Sequence, residues 1–319
     1  MKESLSKFMI DNTSLILFRI IGGLFPTVTY LLLPSFTNIE VSASVVGILS
    51  IALVVSTLLG FGIDQYILKT DVNEKIGSSF IKTSFTQLII FTLLIFSFVI
   101  LLISMYQLII NPSEGLKNSF LQAAVVALPI SILSIGFTFF ASQAMKVTSI
   151  IFFNIATYFL ILLGVMIHDN SVTVLFCAFA LPCLYLIKFI DFDIKKHLGL
   201  SVLSNAITRD LLKIYLVSVL AVLLTNVPVM FAMYLAIDGL IYSSGVFVRL
   251  IGLTSFISTI VYTLFARELR DLVPDLTEQL KIFFGSYLLL ASGFTILIAI
   301  GVFLLKYSAI PFTFAHDDQ

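Results

Sequence analysis

The sequence predicts an all-α protein, a polytopic transmembrane helical bundle of about nine spans. Three observations carry this. Only 11% of the 319 residues are charged, against about 25% in a soluble domain. Hydrophobic residues make up 59% and mean hydropathy is +1.12. Apolar windows of about 20 residues, the length that crosses a bilayer as a helix, recur along the whole chain. Strands are disfavoured, because no alternation of polar and apolar residues is visible and an open sheet leaves backbone groups unpaired in lipid.

In order, the predicted spans are Ser14–Leu33, Val41–Ile63, Phe85–Ile110, Phe120–Ala141, Ile150–Ile167, Val172–Ile190, Leu211–Ile237, Gly239–Leu264 and Ile282–Leu305. The segment from Ser4 to Ile10 is short enough to lie in the membrane interface ahead of the first span. The first apolar run is too long for a cleavable signal and has no small-residue cleavage site. The basic residues test the threading. With the N-terminus in the cytoplasm, fourteen of the 18 Lys and Arg fall on the cytoplasmic side, from Lys2 and Lys7 to Arg267, Arg270 and Lys281. Only Lys117 and Lys306 fall on the other side, and Arg19 and Arg249 lie within spans. That asymmetry is the positive-inside pattern. It places the C-terminus, with Asp317 and Asp318, outside.

The chain divides into an N-terminal six-helix lobe (1–190), a basic cytoplasmic linker (191–210) and a C-terminal part of about three helices (211–319). No loop is long enough to fold as a catalytic domain. A weak internal repeat pairs Glu40 with Asp238, Gly47 with Gly245 and Lys69 with Arg267, all at an offset of 198. It would set spans one to three against spans seven to nine in the same orientation, a parallel repeat known among transporters. Pro26 and Pro228 fall in the paired spans one and seven, and Pro129 and Pro182 bend two others.

Arg249 is the leading functional candidate. It stands about 15 Å along its helix from Gly239. A central arginine costs at least roughly 2.5–3.5 kcal/mol to insert, so it needs a wet cavity or an anionic partner. The bland reading is an arginine that pairs with a neighbouring helix as glue. Arg19 is shallower, and its stem can snorkel to the headgroups or reach the cytoplasmic mouth of a cavity. Asp64, at the end of span two, can pair with Lys69 or Arg19, or cap the turn that follows. Gln87, Gln122, Asn154, Thr225 and Asn226 are span residues that can bond between helices or line water.

Net charge is +0 and no basic cluster is interleaved with aromatics, so nucleic acid is not an expected partner. Cys177 and Cys183 are six apart in one apolar run and read as small fillers. His168, His197 and His316 are scattered at loops and ends. With no Ser/His/Asp grouping, paired carboxylates, phosphate loop or metal-ligand spacing, neither an enzyme, a metal site nor a cofactor is expected.

Three stretches carry a family resemblance. They are Leu17-Phe18-Arg19-Ile20-Ile21-Gly22-Gly23; Val46-Gly47-Ile48 leading to Gly60-Phe61-Gly62-Ile63-Asp64-Gln65-Tyr66-Ile67-Leu68-Lys69; and Ile241-Tyr242-Ser243-Ser244-Gly245 through Arg249-Leu250 to Arg267. On these the chain resembles the O-antigen flippases of the polysaccharide-transport group, within the multidrug/oligosaccharidyl-lipid/polysaccharide exporter superfamily. The resemblance implies a two-lobed bundle of twelve helices around a central cationic cavity. It implies movement of an undecaprenyl-diphosphate-linked sugar unit across the bacterial inner membrane, with polysaccharide assembly proteins as partners. Arg19 and Arg249 match the basic positions of that cavity, with Asp64, Lys69 and Asn226 in support. Ile310-Pro311-Phe312-Thr313-Phe314-Ala315 looks like the family's loop after the ninth helix, so three helices of the second lobe are expected to be missing, as in a fragment or frameshifted product.

Independently of the family, a diphosphate cannot cross bare hydrocarbon, and arginines fork onto phosphate oxygens. A drug or cation antiporter of the same fold would instead want a carboxylate deep in a span. A membrane polysaccharide polymerase would want a large external loop with catalytic polar groups. A non-transporting remnant remains the third alternative.

Overall fold

The computed structural model describes residues 13–60, most of 86–101, 114–142, 151–187 and 209–250. Every described element is helical: α1 (Thr13–Phe36), α2 (Ile39–Gly60), α3 (Glu114–Ser142), a π-helical segment (Ile151–Ala156) running directly into α4 (Thr157–Ile167), α5 (Ser171–Leu186), α6 (Arg209–Leu235) and α7 (238–250). Helical residues also occur between 86 and 101. Three helical stretches are long and apolar enough to cross a membrane: Ile39–Gly60, Phe120–Phe137 and Tyr215–Leu235. Shorter apolar helices cover Ile21–Phe36, Asn154–Ile167 and Ser171–Leu186. Residues 20–249 form one compact unit, which holds all the contacts below; a second unit comprises 1–19 and 250–319. The expected ninth span and nearly all of the 191–210 linker lie outside the described residues.

Short polar residues set the helix starts. Asn38 precedes α2, and its Oδ1 accepts from the Val41 N–H at 2.8 Å. Asn170 does the same before α5, accepting from Val172 and Thr173 at 3.1 Å each. Each amide oxygen satisfies N–H groups that a helix start leaves without an intrahelical partner. At the end of α6, Ala236 turns the chain with a positive φ of 54°, the left-handed conformation in which helices commonly stop.

Two turns stand close to the offset of the internal repeat, though not at it. The α1–α2 turn is Thr37-Asn38 and the α6–α7 turn is Ala236-Ile237. Each is two residues long, and they fall within one residue of the 198 offset. Span five departs from a plain α-helix, since its first six described residues, with Asn154 among them, are π-helical. Such a widened turn inside a helical span offsets the faces on either side of it.

Helix α2 is the centre of this unit and packs against α3, α5 and α6. Of its membrane-length window, 72% is buried, against 17% for α6. Between α2 and α3 a buried polar contact crosses the seam: Ser131 Oγ lies 3.2 Å from the Ser56 carbonyl and 2.9 Å from that of Ala127. Cys183 Sγ on α5 donates to the Phe179 carbonyl at 3.3 Å and reaches the Pro129 carbonyl of α3 at 3.6 Å. Both thiols are free, and Cys183 packs against the core as a filler. On α6, Val217, Leu220, Leu224 and Phe231 are exposed. Water would penalise so broad an apolar face, and hydrocarbon does not.

Two glycines let backbones approach. A Cβ on Gly47 of α2 would stand 2.9 Å from the Met233 sulfur of α6. A Cβ on Gly245 of α7 would overlap Val46 of α2 and lie 3.5 Å from the Tyr30 ring of α1. The pair that the repeat matches therefore makes reciprocal contacts, one hairpin's glycine against the other hairpin. Small residues at such crossings are how lipid-embedded helices gain packing. Val46 is stiff at χ1 and cannot swing aside freely. Gly245→Val is therefore expected to destabilise the fold by about 1–3 kcal/mol, read as a lower thermal midpoint in detergent, with partial recovery when Val46→Ala is added. An unchanged midpoint in the single variant would show that α7 does not approach α2 this closely.

Candidate functional site

Tyr30 is 1% exposed on α1. Pro34 stands four residues further on within the same helix. Having no N–H, it leaves the Tyr30 carbonyl without its intrahelical partner. That carbonyl is taken from outside: Tyr242 Oη of α7 donates to it at 2.9 Å. The backbone defect at Pro34 thus becomes an inter-helix bond.

Arg249 meets the same tyrosine. Its Nη2 donates to Tyr30 Oη at 3.2 Å. Its guanidinium carbon also lies 4.9 Å from the Tyr30 ring centroid. A cation over an aromatic ring contributes about 0.5–2 kcal/mol, more where water is excluded. Tyr242, Gly245 and Arg249 are spaced i, i+3 and i+7, so they share one face of α7, and all three address Tyr30. The two-residue turns make α1 antiparallel to α2 and α6 antiparallel to α7. Contacts between Gly47 and Met233, and between the Tyr215 hydroxyl and the Leu58 carbonyl (3.3 Å), run α2 antiparallel to α6. Consequently α1 and α7 are antiparallel. Side chains lean toward their own helix N-terminus, so Tyr30 and Arg249 lean toward each other.

A second tyrosine completes the setting. Tyr158 of α4 is buried and lies within electrostatic reach of the guanidinium. Its ring packs edge-on against Phe179 of α5, with centroids 6.4 Å apart. Among the described residues Arg249 forms no ion pair, and its one hydrogen-bond acceptor is the neutral phenol of Tyr30. One acceptor engages one of the five N–H donors of a guanidinium. Described acidic side chains are remote in character: Glu40, Asp169 and Asp238 are all exposed. Beside Tyr30, Thr29 Oγ1 is buried with no hydrogen-bond partner.

The other expected site residues are placed as follows. Arg19 lies within α1, and its side chain is outside the described residues. Asp64 and Lys69 are outside them entirely, as is Gln87. Asn226 is buried on α6, but its amide donates to its own helix, to the Val222 carbonyl at 2.8 Å. Thr225 is exposed and donates to the Ala221 carbonyl at 2.7 Å. Gln122 is exposed as well. These polar groups satisfy themselves locally or face outward, and no described contact joins Asn226 to the arginine.

Sequence reasoning missed Tyr30, Tyr158 and Tyr242. A signal existed for two of them: Tyr30 precedes Pro34 by four residues, and Tyr242 opens the Tyr-x-x-Gly-x-x-x-Arg face that ends at Arg249. Nothing local marks Tyr158. Compared with known proteins, the chain matches no family model, no curated protein and no solved structure. The arrangement can hold an anion by hydrogen bonding and charge.

Tyr242→Phe keeps the ring and removes the donor that satisfies the Tyr30 carbonyl. It is expected to cost about 1 kcal/mol of stability, measured as a lower thermal midpoint. A midpoint equal to that of the unsubstituted protein would mean that the carbonyl has another partner.

Proposed function

We propose that this protein is a flippase-type transporter of the bacterial inner membrane, moving an undecaprenyl-diphosphate-linked oligosaccharide with the diphosphate held at Arg249. The observation that carries the reading is a part-buried guanidinium whose only acceptor among the described residues is a neutral phenol. A permanent charge at the depth of an apolar helix is costly, and an anion arriving there relieves that cost. A phosphate oxygen accepts a charge-assisted bond roughly twice as strong as a neutral one, and Arg presents a fork that matches it.

The Arg249 site lies where the two paired hairpins touch, α1–α2 on one side and α6–α7 on the other. A site on the seam between repeats is where alternating access exposes a ligand first to one face and then to the other. Inside-negative potential favours outward movement of an anion by about 2.3 kcal/mol per charge per 100 mV. The sequence reading that put the N-terminus in the cytoplasm and the C-terminus in the periplasm belongs to this proposal, with Arg19 at the cytoplasmic mouth. So do Asp64 and Lys69 as supporting groups, and polysaccharide assembly proteins as partners. A cation antiporter fits less well, because the deep charge is positive and Glu40, Asp169 and Asp238 are exposed.

The test is reconstitution in vesicles with a short-chain polyprenyl-diphosphate sugar that carries a fluorophore. Arg249→Ala is expected to slow its transbilayer movement at least about tenfold, the cost of losing a charged hydrogen-bond partner. Arg249→Lys is expected to retain part of the rate, since it keeps the charge without the fork. Equal rates for Arg249→Ala and the unsubstituted protein, at matched protein content, would defeat the assignment.

A further inference from the structure

Resting on the reading above, we infer that Tyr30 is a positioning residue whose hydroxyl holds the place an anionic oxygen takes on Arg249, while its ring stays beneath the guanidinium as a fixed platform.

Tyr30 is held from three directions. Its carbonyl is tied by Tyr242 at 2.9 Å, its ring edge lies 3.5 Å from where a Cβ on Gly245 would stand, and the residue is 1% exposed. Pro34 makes the first of these ties possible by removing the competing N–H. Arg249 is the looser partner: it is only partly buried, it ends a long flexible stem, and its described hold is one 3.2 Å bond and one ring face. When a competing acceptor arrives, the arginine moves and the tyrosine does not.

The two parts of that hold respond differently to a diphosphate. The ring face attracts the cation whatever its donors do, so it orients the fork both before and after binding. The hydroxyl competes directly with the ligand, because it engages an N–H that a phosphate oxygen would use. A neutral phenol loses that competition: the guanidinium is charged in both bonds, but a phosphate brings an opposite charge and two oxygens that match the fork. Until then it keeps the donor satisfied, which a buried polar group requires. A carboxylate in the same position would hold the arginine too firmly to release it. The tyrosine therefore sets the affinity by being a weak occupant.

Two substitutions separate this role from mere support. Tyr30→Phe keeps the platform and deletes the competitor, while Tyr30→Leu deletes both. The probes are inorganic pyrophosphate and farnesyl diphosphate, titrated calorimetrically into the full chain in detergent, with thermal midpoints recorded alongside. Tyr30→Phe is expected to bind farnesyl diphosphate about 3–10-fold more tightly than the unsubstituted protein, and Tyr30→Leu more weakly. Binding of farnesyl diphosphate with none of pyrophosphate would identify a lipid headgroup; comparable binding of both would identify a free-phosphate site, and either is compatible with the placeholder role. Weaker binding in Tyr30→Phe, with the unsubstituted protein binding and Arg249→Ala not binding, overturns the role of Tyr30 and leaves the anion site standing. Binding that Arg249→Ala does not diminish, or no binding of either probe to the unsubstituted protein, overturns both. If Tyr30→Leu does not fold, the sign of the Tyr30→Phe change alone decides.

Discussion

A guanidinium keeps its proton under any conditions a protein meets, so the chain must solve, by geometry, the problem of a permanent cation set among packed helices. Arg249 shows the solution adopted here. Instead of a carboxylate, which would neutralise the charge and fix it, the described residues offer the hydroxyl and ring of Tyr30. The remaining polar features follow from keeping that tyrosine in place. Pro34 frees its carbonyl, Tyr242 takes the carbonyl, and Gly245 removes the side chain that would push the helices apart. One face of α7 carries both the support and the charge.

Close packing and polar contacts occur together where the two hairpins meet. Gly47 against Met233 and Gly245 against Val46 bring the two hairpins close enough for a side chain on one to reach a backbone group on the other. Among the described residues, two bonds cross the α1–α7 seam, one to a carbonyl and one to a phenol. In contrast, α2 and α3 are joined by a densely buried apolar surface with Ser131 bridging to Ser56. The cation stands at the α1–α7 seam.

Much of the fold was legible because lipid imposes a simple code. Helix-length apolar runs located α2, α3 and α6. The offset of 198 that pairs Gly47 with Gly245 was readable, and the two-residue turns stand one residue away from it. The π-helical start of span five was not readable, since Ile151-Phe152-Phe153-Asn154 reads equally well as an ordinary α-turn. Arg249 stood out because charge at that depth is rare. Its partners did not, because 11 tyrosines and 31 phenylalanines give no hint of which ring lies beneath a particular cation. Asn226 misled for a related reason: a buried amide can be satisfied by its own helix, as it is here by Val222, and sequence does not distinguish that from a bond across helices.

The central claim is that the Arg249 guanidinium is free to exchange its phenol for an anion. The most direct measurement follows its side-chain nitrogens by NMR in protein labelled with 15N-arginine, the Arg249 resonance being identified by its loss in Arg249→Lys. The account requires that resonance to move saturably as inorganic pyrophosphate or farnesyl diphosphate is added, while the other arginines stay still. A resonance that holds its position at saturating concentrations of both would contradict it, and would leave Arg249 as a fixed tie between two helices.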